Sequence, residues 1–206
     1  MPDVDKLAYM SYIQDMEAGA KDLLVEAAAL LLEAAKGSLF ITSLNKGLFY
    51  ADLRAMLTTG SAITGTTYLA LPAGPVIARY QRRVIGALAD AGLAEQDDTD
   101  AKGKPLYLIG KPERKLVSAE HAKIIQRAAD WAKARSTSAL SKYSHKNPGW
   151  TAAYEAGLKA GRSAQPINMR IAMQQIMDDD PWMSEEPDPK VEAALVDVDE
   201  EVGTAW

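Results

Sequence analysis

The sequence predicts a mainly helical α+β fold with a small β element, and three observations carry that reading. Apolar residues recur at spacings of three and four in several segments, the pattern of helices that bury one face. Gly37, Gly60 and Gly92 each follow such a segment, where a helix is readily terminated. Two short apolar runs, 93–96 and 106–109, flank a polar stretch and read as a hairpin. With 48% hydrophobic and 25% charged residues in 206, the chain has enough apolar surface for one core, which excludes collagen-like and wholly disordered classes.

In order along the chain, Asp22 to Lys36 reads as the first helix, with Leu24, Ala27, Ala28, Leu31 and Ala35 on one face. Thr42 is a candidate N-cap for a second helix reaching Thr58, striped by Leu44, Leu48, Ala51 and Ala55. Ser61 to Pro72 is rich in threonine and reads as loop and short strand, and Pro72, Gly74 and Pro75 read as a rigid turn. Pro75 suits the first turn of a third helix to Ala91, because its missing N–H is not needed there. The runs Leu93–Gln96 and Leu106–Ile109 follow as strands, and a helix followed by such a hairpin is winged-helix-like. Ser118 caps a fourth helix with His121 at the capping-box position, where glutamate is usual, and further helices are expected over 137–144, 148–157 and 166–178. The domain organisation expected is an N-terminal extension (1–21), a helical domain (22–178) and an acidic tail (179–206).

Charge is divided unevenly. Residues 183–206 hold eight acids and one base, whereas Lys102 to Lys146 holds eleven bases and three acids. The tail also carries Pro187 and Pro189 and few large apolar residues, so it is expected to lack a fixed fold in isolation, with a short amphipathic stripe at Val191, Leu195, Val198 and Val202. Asp3, Asp5, Asp15 and Glu17 near the start do not suit a signal peptide. The most apolar run, Leu23 to Ala35, is too short to span a bilayer and contains Glu26 and Glu33. The expected location is cytoplasmic, with no membrane partner.

The chemistry is sparse. Without cysteine, disulfides, thiolate-held metals and thiol catalysis are excluded, and two histidines cannot build a multi-histidine metal site. No cofactor or metal is expected. Gly60 to Gly65 has the glycine spacing of a phosphate loop but follows a helix and lacks the Lys-Ser/Thr that would hold phosphate. Ser144 and His145 are adjacent and so poorly placed as a nucleophile–base pair, and His121 reads as an exposed helix residue. Asp52, mid-helix, needs a partner if buried, and Lys46 is a nearby candidate. The carboxylates of Asp178, Asp179 and Asp180 point apart and read as a solvated helix end. Arg79, Arg82 and Arg83 fall opposite the apolar stripe of the third helix, where a recognition helix would face DNA or another partner. With no aromatic interleaving and a net charge of −5, nucleic acid is the less favoured partner.

One block is more specific. Thr42-Ser43-Leu44-Asn45-Lys46-Gly47-Leu48-Phe49-Tyr50-Ala51-Asp52 is followed by Ile63-Thr64-Gly65-Thr66-Thr67-Tyr68 and then by Leu71-Pro72-Ala73-Gly74-Pro75-Val76. In order and spacing this resembles the Panacea domain, the family of SocA-like antitoxins, also described as phage-associated proteins. Ser144-His145, Pro148 and Trp150 resemble a downstream element of the same family, and the resemblance extends over about Asp22 to Asp178. Where the family pattern usually has leucine, this chain has Gly47, which is expected to weaken the second helix locally. The resemblance implies a compact helical domain that neutralises a cognate protein toxin encoded nearby by direct protein–protein binding, without catalysis. It marks Asn45, Lys46, Asp52, Gly65, Tyr68, Pro72, Gly74 and Pro75 as the signature, structural or toxin-binding. Alternatives are a winged-helix-like DNA-binding regulator and a proteolytic adaptor that delivers the toxin for degradation; a second copy of the chain is a further candidate partner.

Overall fold

The computed structural model describes residues 19, 21–97, 105–162, 164–180 and 182. Residues 1–18, the polar turn 98–104 and the tail 183–206 with its aliphatic stripe lie outside the described residues. The element order is α1 (21–34), β1 (Ser38–Phe40), α2 (Ile41–Thr59), β2 (Tyr68–Leu71), β3 (Gly74–Ile77), a π-helical segment (Gln81–Gly86) running into α3 (Ala87–Asp90), then β4 (Ala94–Gln96) and β5 (Pro105–Leu108). Helices α4 (Ala119–Lys133), α5 (Thr137–His145) and α6 (Pro148–Lys159), the two-residue strand β6 (Gln165–Pro166) and α7 (Met169–Asp178) follow. The fold is mainly helical with two small antiparallel sheets, as the periodicity predicts.

Helix α2 is the centre of the molecule. Residues 43–53 are all buried, so this stretch of the helix has no solvent face, and the helix packs chiefly against α4. Its aromatic residues seed the core. Tyr50 meets Trp131 and Tyr143 at ring separations of 4.8 and 5.3 Å, and Phe49 meets Tyr68 edge-on at 5.0 Å. Gly47 sits where both α1 and α4 press close: a Cβ there would lie 3.0 Å from Leu31 Cδ1 and 3.6 Å from Ala132 Cβ. What the glycine costs in helix propensity is set against this close approach, which a leucine could not share without repacking.

Four expectations are corrected. Thr42 is not the cap of α2, because strand β1 feeds the helix directly at Ile41 and its N-cap, Phe40, has no side-chain cap bond. The third helix does not begin at Pro75: Gly74–Ile77 is strand β3, and helical structure starts only near Gln81. Val76 and Ile77 are β-branched, and Pro75 is tolerated because β3 is an edge strand. Pro166 likewise lies in β6, and α7 starts after Asn168, whose side chain accepts from the Arg170 and Ile171 amides. His121 is half-buried rather than exposed, with its Nε2 3.2 Å from Thr59 Oγ1. Ser118 caps α4 as expected, accepting from the His121 amide.

The first sheet has the order β1–β5–β4, with Leu39 opposite Leu106 and Ala94 opposite Leu108. Helix, strand, two helical segments and a hairpin whose second strand pairs with the first strand is the winged-helix arrangement, here with β2 and β3 inserted before α3. The second sheet has the order β3–β2–β6. Elsewhere Glu26, buried on α1, accepts from the Leu116 and Val117 amides at 3.0 and 2.8 Å and so fixes the approach to α4. No helix among the described residues is long and apolar enough to cross a membrane.

Candidate functional site

The signature residues converge on the hairpin β2–β3 and the helix beneath it. Its loop is only Pro72-Ala73, since Leu71 pairs with Gly74. Among the described residues no further strand lies beyond the edge of β3; α2 supplies side chains instead. Asn45 Nδ2 donates to the Pro75 carbonyl at 2.7 Å, and the Ile77 amide donates to Asn45 Oδ1 at 3.0 Å. The side-chain amide thus binds the two groups flanking Val76 as a residue of a parallel neighbouring strand would. Lys46 Nζ donates to the carbonyls of Ala73 and Pro75 at 2.6 and 3.0 Å.

Lys46 is fully buried with no carboxylate among these partners, and burial lowers its pKa to about 7. It lies against Gly74, whose φ of 95° favours glycine. A Cβ on Gly74 would also stand 2.5 Å from both Lys46 Nζ and Ser144 Oγ, so backbone conformation and space demand the same residue. On the far side of the turn, His145 stacks on Trp150 with centroids 4.5 Å apart, and Trp150 Nε1 donates to the Leu71 carbonyl at 2.9 Å. Burial and the neighbouring Lys46 charge lower the His145 pKa, against a hydrogen bond with the Pro72 backbone. Ser144 is fully buried and donates to the Ser141 carbonyl, not to His145, so the adjacent pair is not a nucleophile and its base.

Asp52, two turns farther along α2, forms a separate network. Its Oδ1 accepts from the Thr64 amide at 2.8 Å, and its Oδ2 accepts from the hydroxyls of Thr64 and Tyr68. Lys46 is therefore not its partner, contrary to expectation; Lys46 and Asp52 are satisfied independently. Burial raises the Asp52 pKa and the three donors oppose that rise. Thr64 is the residue that sequence reasoning passed over, although it stands inside the quoted Ile63-Thr64-Gly65 element.

Of the eight signature residues, Asn45, Lys46, Asp52, Tyr68, Gly74 and Pro75 are buried, and only Gly65 and Pro72 are exposed. The arginines do not form one face. Arg79 precedes the helical segment with a positive φ of 58° and is exposed, Arg82 is exposed, and Arg83 is half-buried with its guanidinium donating to Thr66 Oγ1 at 2.9 Å. Nor is Asp178–Asp180 simply solvated: Asp180 pairs with Arg54, and the Asp179 carbonyl accepts from Tyr143. Among the described residues no group of three or more His, Asp or Glu is placed to hold a metal ion. The arrangement is a packed, hydrogen-bonded interior that pins the hairpin to α2.

Comparison with known proteins gives one match. No curated protein and no solved structure matches the chain. The family model described as antitoxin SocA-like, Panacea domain, matches residues 44–151, just over half of the chain, and spans α2, the hairpin β2–β3, His145 and Trp150. The chain therefore belongs to the SocA-like antitoxin, Panacea-domain family.

Proposed function

We propose that this protein is the antitoxin of a toxin–antitoxin pair and neutralises a protein toxin encoded beside it by direct, non-catalytic binding in the cytoplasm. The observation that carries the reading is the burial of the signature residues within a chain that belongs to this antitoxin family. Their polar groups are used up inside the fold, which leaves the outer surface for a partner. Residues 22–178 are taken as the folded unit, and the acidic tail as a segment that covers a basic channel on a toxin handling RNA. Co-expression with the product of the adjacent gene tests the reading: the neighbour alone should arrest growth, and this chain should rescue it and co-purify, with the mass of the complex giving its stoichiometry. Rescue without a complex would favour proteolytic delivery, and a harmless neighbour would sink the antitoxin reading. Neutralisation that survives deletion of 183–206 would reject the role given to the tail.

A second reading, a DNA-binding regulator, is favoured by the winged-helix order of β1–β5–β4 and the exposed Arg79 and Arg82. Replacing those two by alanine should abolish salt-sensitive DNA retention if it holds and leave toxin neutralisation intact if it does not.

A further inference from the structure

An apolar notch lies between helix α6 and the hairpin. Ala70 and Pro72 form its floor, Ala153, Tyr154 and Leu158 one wall, and Arg162 its rim, around a cavity of about 150 Å³. That is room for one aliphatic side chain. The walls are preformed. Trp150 is stacked between His145 and Tyr154, the latter at 4.8 Å and 13°, and is held by its bond to the Leu71 carbonyl. Gly157 lets the following loop close in, since a Cβ there would lie 2.7 Å from the Arg162 carbonyl oxygen. A site that is already rigid loses little freedom when it is filled.

Two exposed side chains border the notch. Leu158 is 64% exposed, although it borders the notch. Arg162 and its neighbour Lys159 are exposed, and among the described residues no hydrogen bond or ion pair reaches the Arg162 guanidinium. No acid lines the notch. An apolar pocket lined by tyrosine and arginine, its tyrosine backed by Trp150, has residue types enriched in interface hot spots. Its complement is an aliphatic side chain beside a carboxylate.

We propose that this notch is the docking point for the cognate toxin, which inserts an aliphatic side chain and sets an adjacent carboxylate against Arg162. The assignment rests on the antitoxin reading. Ala70 and Pro72 of the notch lie inside the family-matched stretch, and Leu158 and Arg162 lie outside it.

The test titrates the purified adjacent-gene product with the full chain and with Leu158→Asp, Arg162→Glu and Arg162→Lys. The first two should each weaken binding roughly tenfold or more, Arg162→Lys should retain most of it, and all three should melt with the wild type because both side chains are exposed. If the wild type binds and the first two variants bind equally well, the notch assignment falls and the antitoxin reading stands. If the wild type does not bind, that reading fails and takes the notch with it. If deleting 183–206 shifts the NMR signals of Leu158 and Arg162 in the toxin-free protein, the notch holds the chain's own acidic tail and the toxin assignment is overturned.

Discussion

The two three-stranded sheets are the same size and finish their edges by opposite means. In β1–β5–β4, side chains alternate: Leu39, Leu106 and Ala94 face the core, while Ser38, Tyr107 and Glu95 share the outer side. A period of two marks the strands of that sheet, broken only where Pro105 is buried on the outer side. In β3–β2–β6, every residue of the edge strand β3 is buried, so its outward N–H and C=O groups cannot be left to water. Asn45 and Lys46 bind them from a helix. One sheet depends on a pattern that tolerates exchange of individual outer residues. The other depends on single atoms of single side chains, and substitutions should separate the two sharply.

The largest effect is expected at Gly74→Ala. The methyl group meets a left-handed backbone, Lys46 Nζ and Ser144 Oγ together, and should destabilise the protein by about 3 kcal/mol or more in urea unfolding. A loss below about 1 kcal/mol would mean the turn can move away from α2, and the hairpin would not be pinned as described. Next comes Asn45→Ala, which leaves the buried Ile77 amide without a partner and the Pro75 carbonyl with Lys46 alone. About 2–3 kcal/mol should be lost, with faster hydrogen exchange at Ile77. Unchanged exchange there would show that another group takes over the strand edge.

This contrast also explains what the sequence disclosed. The helices α4 to α6 and the hairpin β4–β5 were legible because their signals are local: a Ser118 cap, Pro148 in the first turn, apolar runs either side of a polar stretch; the three-residue strand β1 that completes their sheet was not. The hairpin β2–β3 was legible only as a turn. Pro75, Val76 and Ile77 suit a helix start or an edge strand equally, and what decides is Asn45, thirty residues away in sequence. The partnership of Asp52 with Thr64 and Tyr68 was hidden for the same reason, since proximity along a helix favoured Lys46. The family resemblance located these residues without saying which atoms they bind. It gave no sign of the notch, whose rim lies beyond the matched stretch.

Lys46 offers a pH test of the same contrast. Its pKa is about 7 in the folded protein and 10.5 as a free side chain. Between those values the unfolded chain holds a proton that the folded chain has shed, so unfolding takes up protons and this lysine's contribution to stability rises with pH. Below about pH 7 the charged amine is buried, and its penalty is fully present. Wild type should therefore gain stability from pH 7 toward pH 10, and Lys46→Met should flatten that rise. An identical slope in the variant would mean that Lys46 reaches solvent in solution and that the hairpin edge is open.

The smallest effect belongs to the other sheet. Tyr107 stands on β5 opposite Ser38 and Glu95, 40% exposed, with neighbours on both sides already paired by backbone bonds. Tyr107→Thr keeps a residue suited to strands and removes only outer-face contact. It should change stability by no more than about 0.5 kcal/mol, far less than any change at Asn45 or Gly74. Toxin binding is expected to survive as well, because the docking notch lies on α6 and the hairpin, not on this sheet. A variant that keeps its melting point but loses the toxin would move the interface to the outer face of β1–β5–β4. The pattern-built sheet, rather than the atom-by-atom one, would then carry recognition.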